Sequence, residues 1–231
     1  MPSSGEFGLS KPFIWNCTGN YVSGTVIMKL YDEYVLPYVI NCACSMRAIE
    51  RQRGLVVPEA KGKILEIGMG SGLNLKHYDP NKVEHLWGLE PSQGMRRKAQ
   101  ANIEASDLPL EWLDSPSESI PLDDDIVDTL VLTYTLCTIP NPEAALAEMQ
   151  RVLKPDGIMV FSEHGVSPDE NVRRWQHRIN SVWKKLAGGC NLNRDIPALL
   201  SNAGFKLDKL NTGYIKGPKI ATFQYWGRAS I

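Results

Sequence analysis

The sequence predicts an α/β fold: a doubly wound, seven-stranded, mostly parallel sheet with an N-terminal helical segment and a helical cap inserted after the fifth strand. Three observations predict it. Short apolar runs alternate with helical segments between residues 61 and 163, the rhythm of a parallel sheet with helices on both faces. A glycine cluster, Gly68-Met69-Gly70-Ser71-Gly72, follows the first apolar run, where such a sheet places its ligand-binding turn. Two strand-like runs close the chain, which suits an antiparallel pair at one edge.

In order along the chain, residues 1–20 are rich in Ser, Gly and Pro and read as an irregular lead-in. Residues 21–53 are helical in pattern, interrupted at Pro37 and closed by Gly54 and Pro58, so 1–58 reads as an N-terminal helical lead-in. The core spans 61–163. Its strands are expected at 63–67, 83–89, 110–113, 126–132 and 158–162. Helices are expected from Gly72 to about Tyr78, over 92–105 with Ser92 as N-cap, and over 142–153, stopped by Pro155-Asp156-Gly157. Residues 164–192 form a cap, helical over 168–186 and ended by Gly188-Gly189. Residues 193–231 hold a short helix at 195–202 and strands at 205–211 and 220–227. All 231 residues belong to one domain, and the helices at 21–53 and 168–186, with no place in the sheet, are expected to lie over its ligand end.

Composition narrows the function. Lys and Arg number 25 against 26 Asp and Glu, so no basic face marks a nucleic-acid partner. The longest apolar stretch, 34–44, falls short of the roughly 20 residues that cross a bilayer. The first ten residues lack the basic and apolar regions of a secretory signal. The chain therefore reads as cytoplasmic, with at most peripheral membrane contact. Its cysteines, Cys17, Cys42, Cys44, Cys137 and Cys190, are odd in number and scattered, which suits reduced thiols. Cys42 and Cys44 have no second ligand pair nearby, and Asp123-Asp124-Asp125 reads as a solvated loop, so no metal is expected.

The glycine cluster carries the chemistry. Glycine lets the backbone turn sharply and approach a ligand. Glu90, at the end of the next strand, can accept both hydroxyl hydrogens of a ribose. A dinucleotide prefers G-x-G-x-x-G, with its pyrophosphate on the helix N-terminus. This chain has G-x-G-x-G after Leu65-Glu66-Ile67, which favours S-adenosylmethionine, a nucleoside without pyrophosphate. An NAD(P)-binding oxidoreductase and a non-catalytic cofactor-binding protein are the rival readings. A merely structural glycine turn is disfavoured because strand, glycines, helix, strand and acid come in order.

Leu65-Glu-Ile-Gly-Met-Gly-Ser-Gly72, Gly88-Leu-Glu-Pro-Ser92 with Met95, and Met149-Gln-Arg-Val-Leu-Lys-Pro-Asp-Gly157 resemble class I S-adenosylmethionine-dependent methyltransferases. Leu136-Cys-Thr138, Glu163-His164, Trp175-Gln176, Trp183-Lys184, Gly189-Cys190-Asn-Leu192 and Arg194 resemble, more narrowly, the methyltransferase-like family that includes membrane-associated alkyl thiol S-methyltransferases. The resemblance implies a Rossmann-like fold and places Gly68, Met69, Gly70 and Gly72 along the methionine portion of the cofactor. It puts Glu90 on the ribose, Pro91, Ser92 and Met95 beside the ribose and adenine, Ser117 and Glu118 at the adenine edge, and Thr133 near the sulfonium. Pro116 stands where many relatives carry an acid, so adenine recognition is expected to use backbone groups.

Methyl transfer from a sulfonium is an in-line displacement that needs alignment and dryness above all. A thiol acceptor needs little more, whereas lipid amine or quinone-type carbon acceptors, the alternatives, need a general base. Tyr134, Thr135, His164 and His177 are the acceptor-side candidates, with His164 and Tyr134 the catalytic choices and His164 expected to relay the acceptor's proton. A histidine that merely anchors the cap is the competing role. Cys137 and Cys190 read as small packing residues. Trp175, Trp183 and Trp226 either line an apolar acceptor pocket or belong to the core. The function expected is methylation of a small, apolar acceptor, a thiol by family preference.

Overall fold

The computed structural model describes residues 36–231. The expected lead-in at 1–20, the helical run over 21–35 and Cys17 lie outside the described residues. The first two helices are α1, Leu36–Cys44, and α2, Arg47–Val56. The alternating core follows: β1 Gly62–Ile67, β2 Val83–Leu89, α3 Gln93–Glu104, β3 Leu110–Leu113, β4 Val127–Thr133, α4 Pro142–Val152 and β5 Leu153–His164. The chain continues through α5 Glu170–Leu186, α6 Ile196–Asn202, β6 Lys206–Tyr214, α7 Lys219–Thr222 and β7 Phe223–Ser230.

The seven strands are ordered β3-β2-β1-β4-β5-β7-β6. The first five run parallel, and β7 lies antiparallel between β5 and β6. The chain winds outward from β1 through β2 to β3, then returns to the other side of β1 as β4. Such a reversal is where a doubly wound sheet places its ligand crevice, here at the carboxyl ends of β1 and β4.

Period-two alternation assigns the sheet's two faces. Leu65, Ile67, Leu130, Leu132 and Phe161 enter one apolar cluster, while Ile64, Val131 and Val160 enter the other with Val56 and Met69. In β4 every residue but Asp128 is buried, as suits a central strand covered on both faces. Ser92, Asn141 and Asp195 cap α3, α4 and α6 by accepting the backbone N–H of Met95, Ala144 and Ala198.

Local differences from the sequence expectation have physical causes. No α-helix follows Gly72; the chain turns into a short 3-10 stretch, Leu75–His77. Only a few residues separate the left-handed Gly72 from the extended Tyr78, and the Asn74 amide is drawn inward to Glu66 and Thr133. Helix α2 continues through Gly54 to Val56, and Pro58 stands in a 3-10 turn after it. Strand β5 starts at Leu153, because Leu153 pairs with Val127 before Lys154–Gly157 bulge out and Ile158 pairs with Thr129. The bulge is pinned by Lys154 Nζ, 2.6 Å from Asp128 Oδ1. Helix α7 delays the last strand from Ile220 to Phe223.

The β6–β7 edge contains a sharp packing constraint. A Cβ on Gly227 would stand 1.8 Å from the Lys209 carbonyl oxygen, a backbone atom that cannot step aside. Gly227→Ala is expected to destabilise the fold by about 3 kcal/mol or more, the upper range for overpacking, read as a lowered denaturation midpoint.

Helix α5 docks chiefly through polar contacts. The buried Gln176 side chain donates to the Gly165 and Ile220 carbonyls and accepts from Ser167 N. Asn180 Oδ1 accepts from Leu192 N. Trp175 is 56% exposed and His177 also lies on the outer surface, so neither lines a pocket.

Candidate active site

The turn after β1 takes its shape from three glycines with φ of 65°, 59° and 72° at Gly68, Gly70 and Gly72, the left-handed region that other residues resist. The N–H groups of Gly68 and Met69 both donate to Leu89 O, which ties the turn to the tip of β2. Thr135 closes over Gly68, where a Cβ would stand 2.4 Å from its Cγ2. The Met69 side chain turns into the core beneath Gly88, so Met69 offers the turn only its backbone. Met95 lies across Gly70.

Glu90 joins this turn to the next. Its Oε2 accepts from Gly70 N at 2.9 Å and its Oε1 from Ser92 N at 2.8 Å. Burial raises its pKa, and the two backbone donors oppose that rise. Each carboxylate oxygen keeps a free lone pair. Pro91 is exposed and Ser92 half-buried beside it. In the loop after β3, Ser117 is buried and donates to Glu118 Oε2, while Glu118 Oε1 accepts from Asn141 N.

A polar network absent from the sequence expectation lies on the other side of the glycines. Arg53, from α2, is buried and donates through Nη1 to Thr133 Oγ1 at 2.6 Å and Asn74 Oδ1 at 2.8 Å. Asn74 Nδ2 donates to Thr133 Oγ1 and to Glu66 Oε1, and Tyr78 OH donates to Glu66 Oε2. Among the described residues, Arg53 Nε has no partner. Burial pushes the Glu66 pKa from 4.5 up to about 7, against the pull of Tyr78, Arg53 and Asn74. The folded chain thus holds the Glu66 proton more tightly than the unfolded chain, and stability falls as pH rises from 4.5 towards 7, by roughly 3 kcal/mol for such a shift. Glu66→Gln, which mimics the protonated acid, is expected to flatten that slope in melting curves taken across the same window.

On the acceptor side, Tyr134 follows β4 with φ of 57°, a strained conformation for an aromatic residue. The Arg53 guanidinium lies 5.3 Å from the Tyr134 ring centroid, and among the described residues the buried Tyr134 hydroxyl has no partner. Burial raises the Tyr134 pKa. Glu163 Oε1 accepts from the N–H groups of Thr135 and Leu136, which holds the loop after β4 against the end of β5.

His164 is not the isolated histidine its sequence context suggests. Its Nε2 lies 3.1 Å from Cys190 Sγ, and Trp183 Nε1 donates to the same sulfur at 3.4 Å. Cys137 joins them, with all three ligand atoms within 4.8 Å of one another. Cys137 and Cys190, read from the sequence as packing residues, meet His164 in one corner. The Cys190 thiol is drawn below its ordinary value, first by the neighbouring Cys137 thiol and, against burial, by His164. Cys137 moves up, through its closeness to Cys190 and its burial. Burial works against a charge on His164, but the sulfur of Cys190 beside it prevails and its pKa rises. Trp183 belongs to this corner, while Trp226 packs on the sheet.

The methyltransferase-domain family profile matches residues 65–161. Rat thiol S-methyltransferase TMT1B is 32% identical over 180 residues, 73% of this chain and 72% of that one. The chain belongs to the thiol S-methyltransferase family. Human thiol S-methyltransferase TMT1A is 32% identical over 165 residues, 70% of this chain and 66% of its own length. The chain spans just under two thirds of the human relatives it matches. Among solved structures, a SAM-dependent methyltransferase from Aquifex aeolicus superposes with a TM-score of 0.57 at 19% identity, covering 84% of this chain and 98% of that one. That likeness extends to the fold. Among the described residues, no helix is long and apolar enough to cross a membrane.

The crevice of this thiol S-methyltransferase family member fits the family's cofactor, S-adenosylmethionine. It offers free carboxylate lone pairs at Glu90 for ribose hydroxyls. It offers closely approachable backbone at the glycines, and at the far end a buried cation whose Nε lacks a partner. Those groups match a nucleoside carrying an amino-acid tail.

Proposed function

We propose that the protein transfers the methyl group of S-adenosylmethionine to a small, apolar thiol. The observation that carries this reading is one continuous polar track at the strand tips, from Glu90 across the glycine turn to Arg53 and Thr133. In this reading Glu90 holds the ribose, and Pro91, Ser92 and Met95 flank the ribose and adenine. Ser117 and Glu118 border the adenine edge. Gly68, Gly70, Gly72 and the Met69 backbone line the methionine portion. Arg53 and Asn74 take its carboxylate, and Thr133 sits near the sulfonium. The family assignment sets aside a nicotinamide-dependent oxidoreductase.

The cofactor supplies an already activated methyl group. The protein supplies orientation, worth about 7–11 kcal/mol in favourable cases, and a dry crevice. Tyr134 walls the acceptor side, and the acceptor's proton leaves through the corner of His164 and Cys190. A thiol with a pKa of about 8.5 is already a few per cent thiolate at neutral pH, so this corner has little work to do. Lipid amines and quinols would demand more of it, which favours the thiol. A cytoplasmic setting, in which Cys42, Cys44, Cys137 and Cys190 stay as free thiols, goes with this reading.

The test is formation of S-adenosylhomocysteine from S-adenosylmethionine with panels of alkyl thiols, amines and quinols. Thiols are expected to give a stoichiometric S-methyl product. Turnover confined to amines or quinols, or cofactor binding with no turnover on any panel, overturns the proposal.

A further inference from the structure

We propose that Cys137, His164 and Cys190 form a three-ligand site for a thiophilic divalent cation, zinc in the cell. The ligands come from three elements distant in sequence: the loop after β4, the last residue of β5 and the loop after α5. Sequence spacing gave no hint of a metal because the fold, through the return of the cap onto the sheet, is what gathers them.

The separations suit a metal. Tetrahedral zinc, with bonds of about 2.3 Å to sulfur and about 2.0 Å to imidazole nitrogen, spaces its ligand atoms roughly 3.6–3.8 Å apart. Here all three atoms lie within 4.8 Å of one another, and Nε2 to Cys190 Sγ is 3.1 Å. Movements of about 1 Å or less convert one arrangement into the other. Cys190 follows Gly188 and Gly189, both with positive φ, and a glycine pair adjusts its backbone readily. Two thiolates and an imidazole also form a donor set that selects soft or borderline cations such as zinc over magnesium or calcium.

The surroundings hold the ligands in place. The Cys137 carbonyl accepts from both N and Nδ2 of Asn191, the residue after Cys190, so the two cysteine backbones are latched together. The Trp183 N–H to Cys190 Sγ is the kind of outer contact that orients a ligating thiolate. The Cys137 thiol donates to a backbone carbonyl, Tyr134 O at 3.7 Å, a weak contact for a buried polar group.

Charge completes the case. A divalent cation neutralises both thiolates. On binding, two metal–sulfur bonds and one metal–nitrogen bond form, and the protons held by the trio pass to water, so affinity rises with pH. Three protein ligands leave a fourth position open. Resting on the thiol reading above, that position takes the acceptor sulfur; with the metal bound, His164 and Cys190 serve as ligands in place of a proton exit, and the acceptor's proton is lost to water as the metal–thiolate bond forms.

The experiment is a titration of the reduced, metal-stripped protein with cobalt(II), with neither cofactor nor acceptor present. One cobalt per chain is expected, with sulfur-to-cobalt charge-transfer absorption that zinc abolishes. Cys137→Ser, Cys190→Ser and His164→Ala should each weaken binding by more than the roughly 100-fold typical of outer contacts. Cys42→Ser, at an exposed position, should change nothing. Melting curves establish that each variant is folded. Absence of stoichiometric absorption, or cobalt bound equally well by folded Cys137→Ser, overturns the site. Addition of a small alkyl thiol should then strengthen the charge-transfer band, and an unchanged band overturns acceptor coordination. The metal readout needs no methyl transfer, so a failed thiol assay and a failed metal site are separate results.

Discussion

Glu90→Ala is expected to lower the affinity for S-adenosylhomocysteine by on the order of 100- to 1,000-fold. The carboxylate is buried and, beyond the two backbone donors, keeps one acceptor site on each oxygen, which the proposed ribose hydroxyls would use. Hydrogen bonds to a charged group are worth about 1.5–3 kcal/mol each, and each 1.4 kcal/mol is tenfold in affinity. The same carboxylate also holds Gly70 N and Ser92 N, so the alanine variant frees both turns. Glu90→Gln retains an acceptor and much of the volume, and is expected to fall between the wild type and alanine. Calorimetric titration reads the affinities, and melting curves show whether each variant is folded. A folded Glu90→Ala that binds as tightly as the wild type would remove Glu90 from the cofactor site.

Arg53→Ala is expected to lower the same affinity by roughly 30- to 100-fold while leaving 5′-methylthioadenosine, which lacks the amino-acid tail, unaffected. Arg53 is the buried cation at the end of the crevice, with one nitrogen free of partners. A carboxylate meeting it gains a charge-assisted hydrogen bond of about 2 kcal/mol or more. Arg53→Lys keeps the charge but loses the planar fork that reaches Asn74 and Thr133 together, so it should recover only part of the loss. Equal losses for both nucleosides would mean that Arg53 supports the turn without touching the amino-acid tail.

These two residues also mark how far the sequence can be read. Glu90 was legible because its place depends on local order: strand, glycines, strand, acid. The five parallel strands were legible for the same reason, since each is a short apolar run between breakers. Arg53 was not. In the sequence it belongs to a charged helix tail, and it becomes buried only because α2 lies across the strand tips. Glu66 and Asn74 did leave a signal, a lone carboxylate in an apolar strand and an amide just past the glycines. Their meaning depends on each other and on Tyr78. The trio of Cys137, His164 and Cys190 was the least legible. Each residue is unremarkable alone, and only the path of the cap brings Cys190 to the other two. The elements that moved, the 3-10 turn at Leu75–His77 and the early start of β5, did so where side-chain partners or strand register outweighed local propensity.

The most direct test of the account is a crystal structure of the protein with S-adenosylhomocysteine. Both ribose hydroxyls are expected on Glu90, the homocysteine chain along Gly68–Gly72 and its carboxylate at Arg53. A nucleoside bound elsewhere, or a crevice left empty at saturating ligand, would contradict it.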